Sequence, residues 1–226
     1  MTQRTEAKVA GVAYLSYIVF ALSSVVLSGK AIAGADTPQI LSTLVRMLPA
    51  ARATVLLDLL QIICALVLAA TLYRLSKAVD ATLALLAMLF RLGEGLLAFL
   101  PLLDKLELMG LATGYGGRCA ENPACLALAN ELLKRPDNGL DEFCFVVGGF
   151  LFAYLFLAGR LIPRWLAWIG VITIGLQVIC VPLQIAGMIP GSIVTWLWIA
   201  ILPYEIPLAF WLILKGVPLA RDHGEV

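Results

Sequence analysis

Apolar residues arrive in six long blocks, and the polar residues are gathered into the joints between them. The blocks cover about 9–28, 53–73, 82–103, 142–161, 165–187 and 192–214. Each is close to the roughly 20 residues that a helix needs to cross a hydrocarbon core about 30 Å thick. Lipid offers no partner to an unpaired peptide group, so each block is expected to be helical. The pattern predicts an all-α fold: one polytopic membrane domain over 1–226, a six-transmembrane-helix bundle. The joints 74–81 and 162–164 are short and predict antiparallel neighbours.

Two joints are longer and patterned. In the first, Thr37 is expected to cap and Pro38 to start a helix with Ile40, Leu41, Leu44, Val45 and Leu48 on one face. In the second, Asn122-Pro123 should open a helix through Leu126 and Leu133 that Pro136 stops. These read as two short external interfacial helices that partly cover whatever opens beneath them; plain amphipathic connectors are the simpler alternative. No internal repeat stands out between the first three and last three blocks.

The first block invites confusion with a secretory leader, because Arg4 and Lys8 precede it and Ala31-Ile32-Ala33 resembles a cleavage site. Its length suits a span better than a leader's apolar region, so a retained first helix is expected.

Composition agrees with a membrane solvent. Hydrophobic residues make up 62% and charged ones 14%, with a mean hydropathy of +0.96, against roughly half and a quarter in soluble domains. The basic residues also orient the chain. Arg4 and Lys8, Arg74 and Lys77, Arg160 and Arg164, and Lys215 and Arg221 fall on one side, whereas the 188–191 turn opposite carries none and that side's other Lys and Arg are spread through the two long joints. The positive-inside rule then puts both termini in the cytoplasm. A net charge of +1 gives no reason to expect nucleic acid as a partner. The single histidine, His223, sits in a polar tail. That argues against paired haem ligands, HExxH zinc chemistry and histidine-dependent triads; no cofactor or metal is implied. The five tryptophans fall near block ends, as an interfacial belt would have them.

Among the cysteines, Cys64, Cys144 and Cys180 lie in or beside spans and suit small apolar packing positions. Cys119 and Cys125 fall in and beyond the Gly-rich joint Gly114-Tyr115-Gly116-Gly117-Arg118, on the side where an oxidising compartment permits a disulfide. A bonded pair and two free thiols both fit the spacing.

Four ionisable groups sit inside the apolar blocks: Asp58, Arg91, Glu94 and Glu205. Each would cost about 2.5–3.5 kcal/mol unpaired at a bilayer centre, so they are expected to face one another, face water or bind something. Arg91 and Glu94 share a helical face at i,i+3. Asp58 has Gln61 on its face, Glu205 is flanked by Pro203 and Pro207, and Gln177 and Gln184 add neutral polar contacts. One polar cluster of Asp58, Gln61, Arg91, Glu94, Gln177 and Glu205 is the expectation. Its tally would be one fixed cation against three acids, so two carboxyls would have to take protons or attract a cation. A structural lock, a site for a cation or small amine-bearing solute, and an intramembrane acid/base enzyme acting on a lipid or isoprenoid all stay open.

Several strings resemble one family: Val9-Ala10-Gly11-Val12-Ala13-Tyr14-Leu15, Leu72-Tyr73-Arg74-Leu75, Thr82-Leu83-Ala84-Leu85-Leu86-Ala87, Leu89-Phe90-Arg91-Leu92-Gly93-Glu94, Leu161-Ile162-Pro163-Arg164-Trp165-Leu166 and Glu205-Ile206-Pro207-Leu208 through Gly216. Together they resemble, in order and over nearly the full chain, a bacterial integral-membrane family known only as domain of unknown function 4386. The resemblance implies a six-span inner-membrane protein, brings no activity with it, and singles out Arg91, Glu94 and Glu205. The Cys119/Cys125 joint looks peculiar to this chain. The functional expectation is a multi-pass inner-membrane protein that binds or carries a small solute or cation, with a membrane scaffold as the alternative.

Overall fold

The computed structural model describes residues 2–114, 118–135 and 139–218. Expectations that fell on Tyr115, Gly116, Gly117, Pro136, Arg221 and His223 lie outside these described residues. The elements are α1 (Gln3–Ala31), α2 (Thr37–Arg46), α3 (Leu48–Ser76), α4 (Ala81–Leu97), α5 (Phe99–Thr113), a 3-10 turn (Cys119–Glu121), α6 (Pro123–Lys134), α7 (Leu140–Ala158), α8 (Arg164–Ile185) and α9 (Gly191–Leu214). Six helical runs are long and apolar enough to cross a membrane. All the described secondary structure is helical, as the block pattern requires.

The third run differs from its expected end at residue 103. It breaks after Leu97 and resumes at Phe99, continuing as α5 to Thr113. Pro101 accounts for the break, because its ring clashes with the carbonyl four residues back, that of Leu97, and it has no N–H to give. Helix α9 absorbs Pro203 and Pro207 without interruption.

The chain divides into two compact units, one of Met1–Ser16, Ile63–Leu97 and Gly139–Val226, the other of Tyr17–Ile62 and Ala98–Asn138. In the first, α4 packs on α7, α7 on α8 and α8 on α9. Leu68, Leu72, Phe156, Ile174, Leu208 and Leu212 form its buried core. Lipid tails are as apolar as leucine, so helices associate by close fit, and small residues allow that fit. A Cβ on Gly11 would lie 2.6 Å from the Ala209 carbonyl, which brings α1 against α9. Near the start of α1, Glu6 pairs with Arg74 of α3 at 2.6 Å.

The second unit contains the two short helices. Asp36, not Thr37, caps α2: its carboxylate accepts from the Gln39 N–H at 2.9 Å. Thr37 is the first helical residue, and its hydroxyl donates to Asn130 Oδ1 on α6 at 3.1 Å. Asn122 caps α6 as expected, accepting from the Ala124 and Cys125 amides. Both helices turn their apolar faces into one core, where Ala31, Leu41, Leu44, Ala51, Leu108 and Ala129 are buried together with the Cys119–Cys125 disulfide. The disulfide fastens the 3-10 turn to the first turn of α6. Closing a loop of sequence separation 6 should be worth about 2 kcal/mol by chain entropy. Replacing both cysteines by serine is therefore expected to lower unfolding free energy by about that amount, measured by thermal unfolding in detergent with and without reductant.

Candidate functional site

The most buried charges lie on α4 and α9 in the first unit. Arg91 is 1% exposed, Glu94 4% and Glu205 4%. Arg91 Nη1 meets Glu94 Oε2 at 2.8 Å across one helical turn. Room for the arginine stem comes from Gly148 on α7, where a Cβ would stand 2.9 Å from Arg91 Cγ. The guanidinium carbon then rests 4.6 Å from the centroid of the Phe145 ring, a cation–π contact that sets the plane of the charge. Trp198 packs on Phe145 in turn, their ring centroids 5.3 Å apart.

Glu205 enters from α9. Its carboxylate lies within electrostatic reach of both Arg91 and Glu94. Tyr14 on α1 and Tyr204 on α9, both buried, feel the same charges. Among the described residues, Glu205 Oε1 is buried with no hydrogen-bond partner. Gln177 is buried as well; its Nε2 donates to the Leu197 carbonyl at 2.9 Å, joining α8 to α9, while its Oε1 has no hydrogen-bond partner among the described residues.

Asp58 has other partners. It lies in the second unit, where Lys105 Nζ contacts its Oδ2 at 2.6 Å and the Ser24 hydroxyl donates to its Oδ1 at 2.5 Å. Gln61 is half-buried in the same unit. Asp58 thus pairs with a lysine and accepts from a hydroxyl within the second unit, whereas in the first unit Glu94, Glu205 and two tyrosines accompany Arg91. The sequence reading overlooked Lys105 because it ended the third span at residue 103, whereas the helix carries on past it. Tyr14 and Tyr204 were overlooked because a tyrosine in an apolar block looks like any packing residue. Their side of the helix becomes visible only when α1 and α9 are placed together.

The family described as domain of unknown function (DUF4386) matches residues 9–216. The chain belongs to this family. No curated protein and no solved structure matches it. Three strings that carried the resemblance meet in the first unit of this DUF4386 protein. Gly11 and Tyr14 lie on α1, Arg91 and Glu94 on α4, and Glu205 on α9. The protein is a multi-pass membrane protein, and its family carries no assigned activity. The Arg91 group contains one cation and two acids, so one carboxyl is in excess of the fixed positive charge.

Proposed function

We propose that this DUF4386 protein binds a proton or a small cation, including an amine-bearing solute, at the buried group of Arg91, Glu94 and Glu205. One observation carries the reading: the Glu205 carboxylate is buried, and its Oε1 has no hydrogen-bond partner among the described residues. Arg91 already holds Glu94 at 2.8 Å. A second carboxylate beside that pair is an uncompensated buried charge, which is costly unless something positive joins it. The phenols of Tyr14 and Tyr204 would supply neutral oxygens around such an occupant. The group is closed to solvent in this conformation, so binding rather than carriage is the function proposed.

The same reading places the protein in a bacterial inner membrane with both termini cytoplasmic. Two features support this placement. Arg4, Lys8, Arg74, Lys77, Arg160, Arg164 and Lys215 lie at one set of helix ends, in short joints or close to a terminus, whereas the short 188–191 turn opposite has none and the other basic residues are spread through the two long joints and the helices beside them. The disulfide falls in the joint at the opposite set, where an oxidising compartment would maintain it.

Glu205→Gln tests the binding site. The purified full chain in an uncharged detergent is heated with sodium, potassium or methylammonium chloride, and across pH. The wild type is expected to shift its midpoint with pH or with one of these cations. The variant should unfold at the same or a higher temperature and lose that response. If the variant instead loses about 3–5 kcal/mol of stability, as breaking a buried ion pair does, Glu205 is a helix lock and the binding reading is wrong.

A further inference from the structure

A cavity of ≈ 460 Å³ opens in the first unit, where α7 and α9 end and α8 begins. Arg160, Leu161 and Ile162 form one part of its wall, and Trp211, Lys215 and Gly216 another. Leu161 and Ile162 are buried, so the wall belongs to the packed fold. Two cations line the cavity, Arg160 and Lys215, and no acid does among the described residues. Neither side chain has an acidic partner among those residues. The described acids at this set of helix ends are engaged elsewhere. Glu6 pairs with Arg74, and Asp80 accepts from the Leu83 amide at 2.9 Å in capping α4.

Arg160 also stands in a backbone conformation that suits glycine. Its φ is 52°, and among the described residues it is the only non-glycine with a positive φ. It holds the left-handed position that closes α7. The Leu161 N–H donates back to the Phe156 carbonyl at 3.0 Å, and the Arg160 N–H to that of Leu157 at 3.3 Å. Glycine usually fills this position, because a Cβ is costly there. The end of α9 follows that custom with Gly216, at φ 72°. A cation serving only the negative end of the α7 dipole could stand anywhere in the last turn. The dipole therefore does not account for an arginine at a strained position, and strain of this kind points to a function.

We infer that this cavity binds the phosphate of an anionic phospholipid headgroup, with Arg160 as the forked donor and Lys215 as the second charge. A guanidinium matches phosphate with two parallel hydrogen bonds, while an ammonium supplies a point charge. Lipid is the source because the cavity lies at the ends of two spans, at the level of the headgroup phosphates. Ala158 closes α7 just before Arg160, and Leu214 closes α9 just before Lys215. The carbonyl ends of α7 and α9 disfavour an anion, and the amide end of α8, which has no side-chain cap, offsets them. A zwitterionic head brings its own ammonium to a cationic wall and should bind less well.

Native mass spectrometry of the full chain, released from an uncharged maltoside detergent holding equal phosphatidylglycerol and phosphatidylcholine, tests this inference. Preferential retention of phosphatidylglycerol is expected. Arg160→Gly and Lys215→Gln should each weaken it about tenfold, the loss of a charge-assisted contact. In lipid-free detergent Arg160→Gly should unfold at the wild-type temperature or above, since glycine suits that backbone. Lys77→Gln removes a cation of the same helix ends from outside the cavity and should leave retention unchanged. An equal loss in Lys77→Gln shows diffuse attraction to a basic surface and overturns the site. Equal retention of the two lipids overturns the anionic assignment, and displacement of phosphatidylglycerol by excess inorganic phosphate overturns the lipid one. An Arg160→Gly protein that keeps the lipid and unfolds at a lower temperature makes the arginine structural, and the inference falls.

Discussion

Arg91→Met is expected to lower the unfolding free energy in detergent by about 3–5 kcal/mol, the loss typical when one partner is removed from a buried charge set. The change leaves the alkyl volume beside Gly148 nearly filled, so cavity formation contributes little to it. The loss arises because Glu94 and Glu205 remain buried with no cation between them. A triple variant, Arg91→Met with Glu94→Gln and Glu205→Gln, separates this cause from packing. With every formal charge removed together, stability should return to near the wild-type value, since neutral replacements of whole buried ion groups are often tolerated. Thermal unfolding of the single and triple variants side by side makes the comparison. If the triple variant is as unstable as Arg91→Met, the methionine is a packing failure and the charge argument falls.

Gly170→Ala should have the next largest effect, toward the upper part of the roughly 1–3 kcal/mol that overpacking costs. An added Cβ would lie 2.4 Å from Tyr204 Cε2, 2.6 Å from Cζ and 2.8 Å from Cδ2. Three atoms of one rigid ring cannot all move aside, and Tyr204 is buried between α8 and its own helix. Either the helices separate or the ring rotates away from the charges it sits beside. Tyr204→Leu in the Gly170→Ala background removes the collision and should recover part of the loss. A Gly170→Ala protein that unfolds at the wild-type temperature would mean that α8 and α9 are less tightly packed than these distances imply.

Much of the fold was legible because lipid simplifies the code. A block of apolar residues can only be a helix there, so six spans followed from length alone, and the cap of the second short helix from Asn122 and the proline after it. The misplaced cap at Thr37 was a one-residue error between two good capping residues. The site was only half legible. Arg91 and Glu94 were paired correctly because i,i+3 spacing is a local geometric fact. Asp58 was assigned to them by charge balance, and charge balance does not specify distance. Lys105 could have been considered as its partner had the third helix been extended past Pro101, whose effect is to interrupt a helix but not to end it. Pro203 and Pro207, where a local rule favours a kink, leave α9 uninterrupted around Glu205.

The Glu6–Arg74 pair sets a rule for engineering. Because Glu6 is buried and is the counter-ion that Arg74 holds at 2.6 Å, a purification handle belongs upstream of Gln3, joined through a flexible spacer. A shortened variant that begins beyond Glu6 would strip an arginine of its mate and can be expected to give poor yields for reasons unrelated to any ligand.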